Sequence, residues 1–211
     1  MYEAKHFTEE RLSVQHDLIE SHPLGLLVCN DSADRLSANP IPFMLHRELG
    51  EFGTLRAHIA RPNPQWRDLQ RVEECLIVFQ GEQHYVSPNW YPSKQEHGKV
   101  VPTWNYVTVH VWGAPIVIDD SEWIRSQVDQ LTSKQEASQA NPWAVSDAPP
   151  DFTSSMIRGV VGIEIPISEI RGKWKVSQNR SQQDASGVSA NLRKMGMGAM
   201  AEQVERYSGR D

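Results

Sequence analysis

HYVSPNWYPSKQEHGKVVPTWNYVTVHVWG, residues 84–113, sets two extended runs around one polar loop. The first run, His84-Tyr85-Val86-Ser87, is halted by Pro88 and again by Pro92, because proline has no N–H to give a β-ladder. Ser93 to Lys99 then supplies serine, lysine, glutamate and histidine with no apolar residue. The second run, residues 104–112, is rich in aromatic and β-branched side chains, the composition that suits a pleated, half-buried surface. The loop is too long for a two-residue hairpin. It either reaches over a ligand or is partly disordered. Two strands flanking such a loop form a natural binding edge, since binding residues often sit on loops held by a rigid sheet.

Outward from this stretch, short extended runs dominate. Residues 24–30 are continuously apolar and read as a buried strand, and residues 36–45, broken by Pro40 and Pro42, read as its partner. Residues 53–60 alternate Leu55, Ala57 and Ile59 against Arg56 and His58, the period-2 pattern of a strand with one polar face. Residues 74–80 form another core strand, with a turn expected at Gly81-Glu82. Past Pro115 the sheet extends to about residue 119. Residues 160–167 place Val161, Ile163 and Ile165 on one face, and residues 173–177 extend or follow that strand. Helices are expected over 8–20, with Thr8 as N-cap, over 66–71, over about 120–137 behind an Asp119 or Asp120 cap, and briefly over 153–158. Residues 141–150 read as a connector and residues 181–187 as a polar, mobile segment. A C-terminal helix over 190–207 is weakened by Gly196 and Gly198. Strands that follow one another without regular helix alternation argue against a Rossmann fold. The expected class is mainly β with peripheral helices (α+β), a small antiparallel barrel. The 211 residues suit one domain carrying an N-terminal helix, an inserted helix near 120–137 and a C-terminal helical tail.

Composition bounds the function. No apolar run approaches the roughly 20 residues that span a bilayer. The N-terminal residues lack the apolar core of a signal peptide. Cys29 and Cys75 stand far apart in apolar runs and read as buried free thiols, which points to a reducing cytoplasm and no membrane. The net charge of -6 lowers the expectation of a DNA-gripping surface, which is ordinarily basic. Neither GxGxxG nor GxxxxGKS occurs, nor HExxH, GxSxG or a cysteine zinc pattern. The eight histidines are scattered, so no metal site and no catalytic group are assigned.

The organising stretch also carries a resemblance. Ser87-Pro88, Trp90-Tyr91-Pro92-Ser93-Lys94 and His97-Gly98-Lys99-Val100-Val101-Pro102-Thr103-Trp104-Asn105-Tyr106 are similar to the signature of the PaiB family. Further matches lie at His58-Ile59-Ala60-Arg61, Asn63-Pro64, Trp66 and Lys173-Trp174-Lys175-Val176-Ser177-Gln178-Asn179-Arg180. The resemblance implies an FMN-binding split β-barrel, a homodimer, a flavin ligand and a role as a negative transcriptional regulator. Two alternatives stay open: a flavin-dependent oxidoreductase of the pyridoxamine-phosphate-oxidase-like class, and a heme-binding split-barrel protein.

Three residue sets carry these expectations. Arg56, His58 and Arg61, with Ser87, Ser93 and Lys94, offer the cationic and hydroxyl donors that a flavin phosphate needs. Ser93-Lys94 is similar to the phosphate-binding pair of related split-barrel flavoproteins, and the competing reading is a solvated basic loop. Trp90, Tyr91, Trp104, Tyr106 and Trp112 either wall a flavin ring or fill the core, and Asn105 adds an amide that both donates and accepts. Arg171, Lys173, Lys175 and Arg180 form a basic segment with no acidic residue between its ends. Three fates are open to it: DNA phosphates, a cofactor in a dimer cleft, or solvent. Whether DNA is contacted directly or indirectly stays open.

Overall fold

The computed structural model describes residues 1–2 and 4–209. In chain order its elements are Thr8–Glu9 (β1), Leu12–Ser21 (α1), Leu24–Asn30 (β2), Leu36–Pro42 (β3), Met44–His46 (β4), Thr54–Ala60 (β5), Gln65–Leu69 (α2), Cys75–Val86 (β6), Ser93–His97 (α3), Thr103–Gly113 (β7), Ile116–Ile118 (β8), Ser121–Glu136 (α4), Pro150–Arg158 (α5), Val160–Lys175 (β9), Gln182–Lys194 (α6) and Gly198–Tyr207 (α7). The strands hydrogen-bond in the order β3-β2-β6-β7-β9-β5-β4, and β1 and β8 also pair with β9. This is a mainly antiparallel β fold with helices around it, the class that the strand pattern predicts.

The chain resolves into two compact units. One takes Met1–Leu18, Gln80–Val109 and the chain from Arg171 onward, and the other takes Ile19–Phe79 and His110–Ile170.

In the second unit, period-2 alternation sets both register and core. β5 and β9 are antiparallel, with Leu55 opposite Ile165, Ala57 opposite Ile163 and Ile59 opposite Val161. All six side chains are buried. The alternate positions place Arg56 opposite Glu164 and His58 opposite Gly162 on the other face. α4 covers that face. Its Asp120 cap accepts from the Trp123 N–H, and a Cβ at Gly162 would collide with the Trp123 ring, so only glycine lets the helix approach. Cys29 and Cys75 are buried free thiols, and burial pushes Cys75 up to about 12.

In the first unit the structure departs from several local expectations. Thr8 caps no helix: Thr8 and Glu9 pair with Lys173 and Gly172 of β9, and α1 starts only at Leu12. The Glu9 carboxylate takes the Arg11 N–H and side chain instead. Residues 81–82 make no turn, because β6 runs unbroken from Cys75 to Val86. The polar loop after Pro92 contains the short helix α3, closed by Gly98 at φ +66. Residues 181–187 are ordered into α6, whose Ser181 cap accepts from the Asp184 N–H. The expected single C-terminal helix is two helices, parted where Gly196 takes φ +77, a conformation open to glycine at little cost.

Among the described residues no helix is long and apolar enough to cross a membrane, and no group of three or more His, Cys, Asp or Glu is placed to hold a metal ion.

Candidate functional site

The sequence-predicted residues fall into the two units, and each set has its own chemistry. In the second unit all three polar groups of the 56–61 segment are already engaged. Arg56 Nε donates to Glu164 Oε2 at 2.6 Å, directly across the β5–β9 register, and its guanidinium lies 5.6 Å from the Trp123 ring centre. His58 Nδ1 lies 2.7 Å from Gln127 Oε1. Arg61 holds Asp119 with both terminal nitrogens and donates further to the Arg158 and Val160 carbonyls, tying β9's entrance to the end of β8. Hydrogen bonds from Arg61 hold the Asp119 carboxyl below its usual range. Both arginines are thus neutralised by carboxylates of their own unit.

The first unit contains Ser87, Ser93, Lys94, Trp104 and Asn105. Ser87 caps the 88–90 turn by accepting from the Asn89 N–H at 3.2 Å. Ser93 gives its N–H and its hydroxyl to Asp184, at 3.1 and 2.8 Å. A carboxylate therefore occupies the donors that a phosphate would need. Lys94 Nζ donates to Asn89 Oδ1 at 2.6 Å. Asn105 is fully buried, and its amide exchanges hydrogen bonds with the Ser177 hydroxyl at 2.9 and 3.2 Å. Its amide is thereby committed to holding a turn, and Ser177 sits there at φ +68, left-handed backbone that serine rarely adopts. Trp104 is 49% exposed, with its indole N–H on Gln83 Oε1 and its ring edge-on to Tyr85.

The Ser177 turn gathers cations. Lys173 and Lys175, two apart on β9, share a strand face. Lys173 is only 7% exposed; its ammonium donates to the Tyr2 carbonyl and lies 5.4 Å from the ring centres of both Tyr2 and Tyr106. Lys175 donates to the Thr103 hydroxyl and the Trp104 carbonyl. Arg180 returns past the turn, its N–H on the Ser177 carbonyl at 3.0 Å and its guanidinium 4.9 Å from the centre of the Tyr91 ring. Burial, with Lys173 and Arg180 as neighbours, lowers the Lys175 pKa, and no ion pair joins Lys175 or Arg180 to a carboxylate among the described residues. The buried Tyr91 hydroxyl has no hydrogen-bond partner among the described residues. Lys175 and Arg180 are thus half-buried cations with no carboxylate partner among the described residues, and Arg180 lies against Tyr91.

Comparison with known proteins identifies the family. Residues 1–169 match the family model described as "Putative FMN-binding domain". The chain belongs to this family. A protein of Emericella nidulans, AN0679, is 31% identical over 94% of this chain and 93% of its own length. "Protease synthase and sporulation protein PAI 2" of Bacillus subtilis is 27% identical over 91% of this chain and 89% of its own length, which places the chain with the PaiB proteins. Among solved structures, the flavocytochrome Anf3 of Azotobacter vinelandii shares the fold with a TM-score of 0.61 at 12% identity, over 80% of this chain and 69% of that one. The fold is that of the flavin-binding split barrels.

Lys175 and Arg180, which follow the residues matched by the family model, offer cationic donors of the kind a phosphate takes. Lys175 already donates to Thr103 and Trp104 but, like Arg180, has no carboxylate partner among the described residues. Tyr91 and Arg180 are visible in the sequence as members of separate motifs. Ser177, the residue that turns Arg180 back toward Lys175, carries no local signal for its left-handed backbone, since such positions favour glycine or asparagine. Asp184 and Gln127 carry none either, because each is defined by a partner remote in sequence.

Proposed function

We propose that this chain is a flavin-binding protein of the PaiB type that holds the flavin phosphate on Lys175 and Arg180 and represses transcription indirectly. The observation that carries this reading is the half-buried pair Lys175 and Arg180, which no carboxylate joins among the described residues. A phosphate there would offset the desolvation of Lys175 and the repulsion from its cationic neighbours. Trp104, exposed next to the carbonyl that holds Lys175, offers a face on which a flavin ring stacks. Flavin supplies hydride and electron transfer when bound; the chain's own residues bind and orient it.

A fluorescence titration with FMN tests the site. Lys175→Ala is expected to weaken FMN by roughly 1.5–3 kcal/mol, the scale of a charged hydrogen bond, while Lys94→Ala, whose ammonium rests on Asn89, leaves affinity near that of the parent. The reverse ranking would move the phosphate to the Ser93-Lys94 segment and end this assignment.

Indirect repression follows from the burial of the basic segment. Lys173 is 7% exposed and Lys175 is tied to the β7 backbone, so the segment does not present four free cations to a duplex. With a net charge of -6, little else favours phosphate-backbone attraction. An electrophoretic assay at about 50 mM salt, where backbone contacts are strongest, is expected to show no shift of promoter DNA with or without FMN. A shift that Lys175→Gln abolishes would establish direct contact instead.

A further inference from the structure

The second unit holds an open pocket of about 170 Å³ that none of the flavin argument uses. α4, α5, the 145–147 turn and His58 of β5 line it. Trp143, Phe152 and Met156 line it while 47%, 56% and 51% exposed, so they form its rim, and Ile157 lies buried among its walls. Its volume is close to that of the roughly 150 Å³ apolar cavity known to admit a single benzene ring. It falls well short of the roughly 300–1,000 Å³ of pockets for larger ligands, so a three-ring flavin is too big for it.

One imidazole, backed by a buried amide, marks this apolar space. His58 lines the pocket, and its Nδ1 lies 2.7 Å from the amide oxygen of Gln127. An amide oxygen only accepts, so Nδ1 donates to Gln127 and Nε2 is the ring nitrogen left for a ligand. Gln127 is 3% exposed, and its Nε2 has no hydrogen-bond partner among the described residues. The other polar wall residue, Thr153, already donates its hydroxyl to the Pro149 carbonyl. Apolar walls and one imidazole, held from behind by the buried Gln127 amide, define a ligand. It is one ring wide, flat enough to lie among Trp143 and Phe152, and carries a group that both donates and accepts. A ring hydroxyl does both.

We propose that this pocket binds a single-ring phenol through His58, which Gln127 positions, and the aromatic rim. Titrating phenol and toluene against the full chain by saturation-transfer NMR separates the polar from the apolar contribution. Phenol is expected to bind about tenfold more tightly than toluene, the worth of one net hydrogen bond. Phe152→Ala removes a rim residue that is mostly exposed, so folding is spared, and it is expected to weaken both ligands about tenfold. Gln127→Leu is expected to abolish the preference for phenol while toluene still binds. Should that variant fail to fold, the phenol-to-toluene ratio of the parent and the Phe152→Ala result still decide. Equal binding of the two probes, no binding of either, or phenol binding indifferent to Phe152→Ala would each overturn the proposal.

Discussion

Replacing Glu9 with alanine is expected to destabilise the protein by about 3 kcal/mol, which for a chain of this size lowers Tm by roughly 6–12 °C. Glu9 is 3% exposed and accepts from the Arg11 backbone, the Arg11 guanidinium and the Tyr207 hydroxyl. One carboxylate thereby fastens the last helix to the first strand. Without it the buried Tyr207 hydroxyl loses its carboxylate acceptor, while half-exposed Arg11 recovers part of its loss from water. Leaving a polar group buried short of partners is the costly part. Thermal denaturation monitored by circular dichroism measures it, and a Tm within 2 °C of the parent, less than about 1 kcal/mol, would show that the network contributes little.

The same network sets an acid limb. Burial alone would raise the Glu9 carboxyl, but hydrogen bonds from Arg11 and Tyr207 outweigh it and hold its pKa below the ordinary value. A carboxyl depressed in the folded state contributes stability that is fully present above its unfolded pKa, about 4.3, and is lost as pH falls through the lower folded value. Glu9→Gln should therefore show a flatter loss of stability below about pH 4.3 than the parent. Tyr207 titrates with the opposite consequence. Burial first, then the Glu9 carboxylate, raise its pKa, so its contribution is complete below an unfolded value of about 10 and declines above it.

Ile163→Ala is the second large expected effect, about 2–5 kcal/mol by denaturant unfolding. Ile163 is fully buried on β9 and pairs with Ala57 of β5 on one edge and Val117 of β8 on the other. Ala57 is too small to fill the space a truncated neighbour leaves, so the cavity persists. Ile163→Val removes one methylene and should cost only about 0.5–1.5 kcal/mol. Equal losses for the two substitutions would mean that the strand shifts to close the gap.

The sequence alone determined the alternating strands of the second unit and their faces. Val161, Ile163 and Ile165 alternate in the chain and are all fully buried in the fold, because period-2 alternation is a property of the strand itself. Capping oxygens and left-handed glycines act within a few residues. Of the two caps expected for α4, Asp119 and Asp120, it is Asp120 that forms. Gly196 was legible as a weak point of the C-terminal helix, although not as the break it makes. Residues 181–187, polar and without apolar periodicity, read as a mobile segment, yet α6 forms there: Ser181 accepts from the Asp184 N–H, and the buried Asp184 carboxylate accepts from Ser93, 91 residues away. Thr8 has the local form of a helix cap, yet pairs as a strand with Lys173 because β9 reaches it. Only the tertiary structure decided the cation site. Lys175 reaches Thr103 and Trp104, and Ser177 meets Asn105, across about seventy residues of chain. Such contacts depend on how strands align in the sheet, and a sheet's register is a relation between segments that no single segment's residues contain.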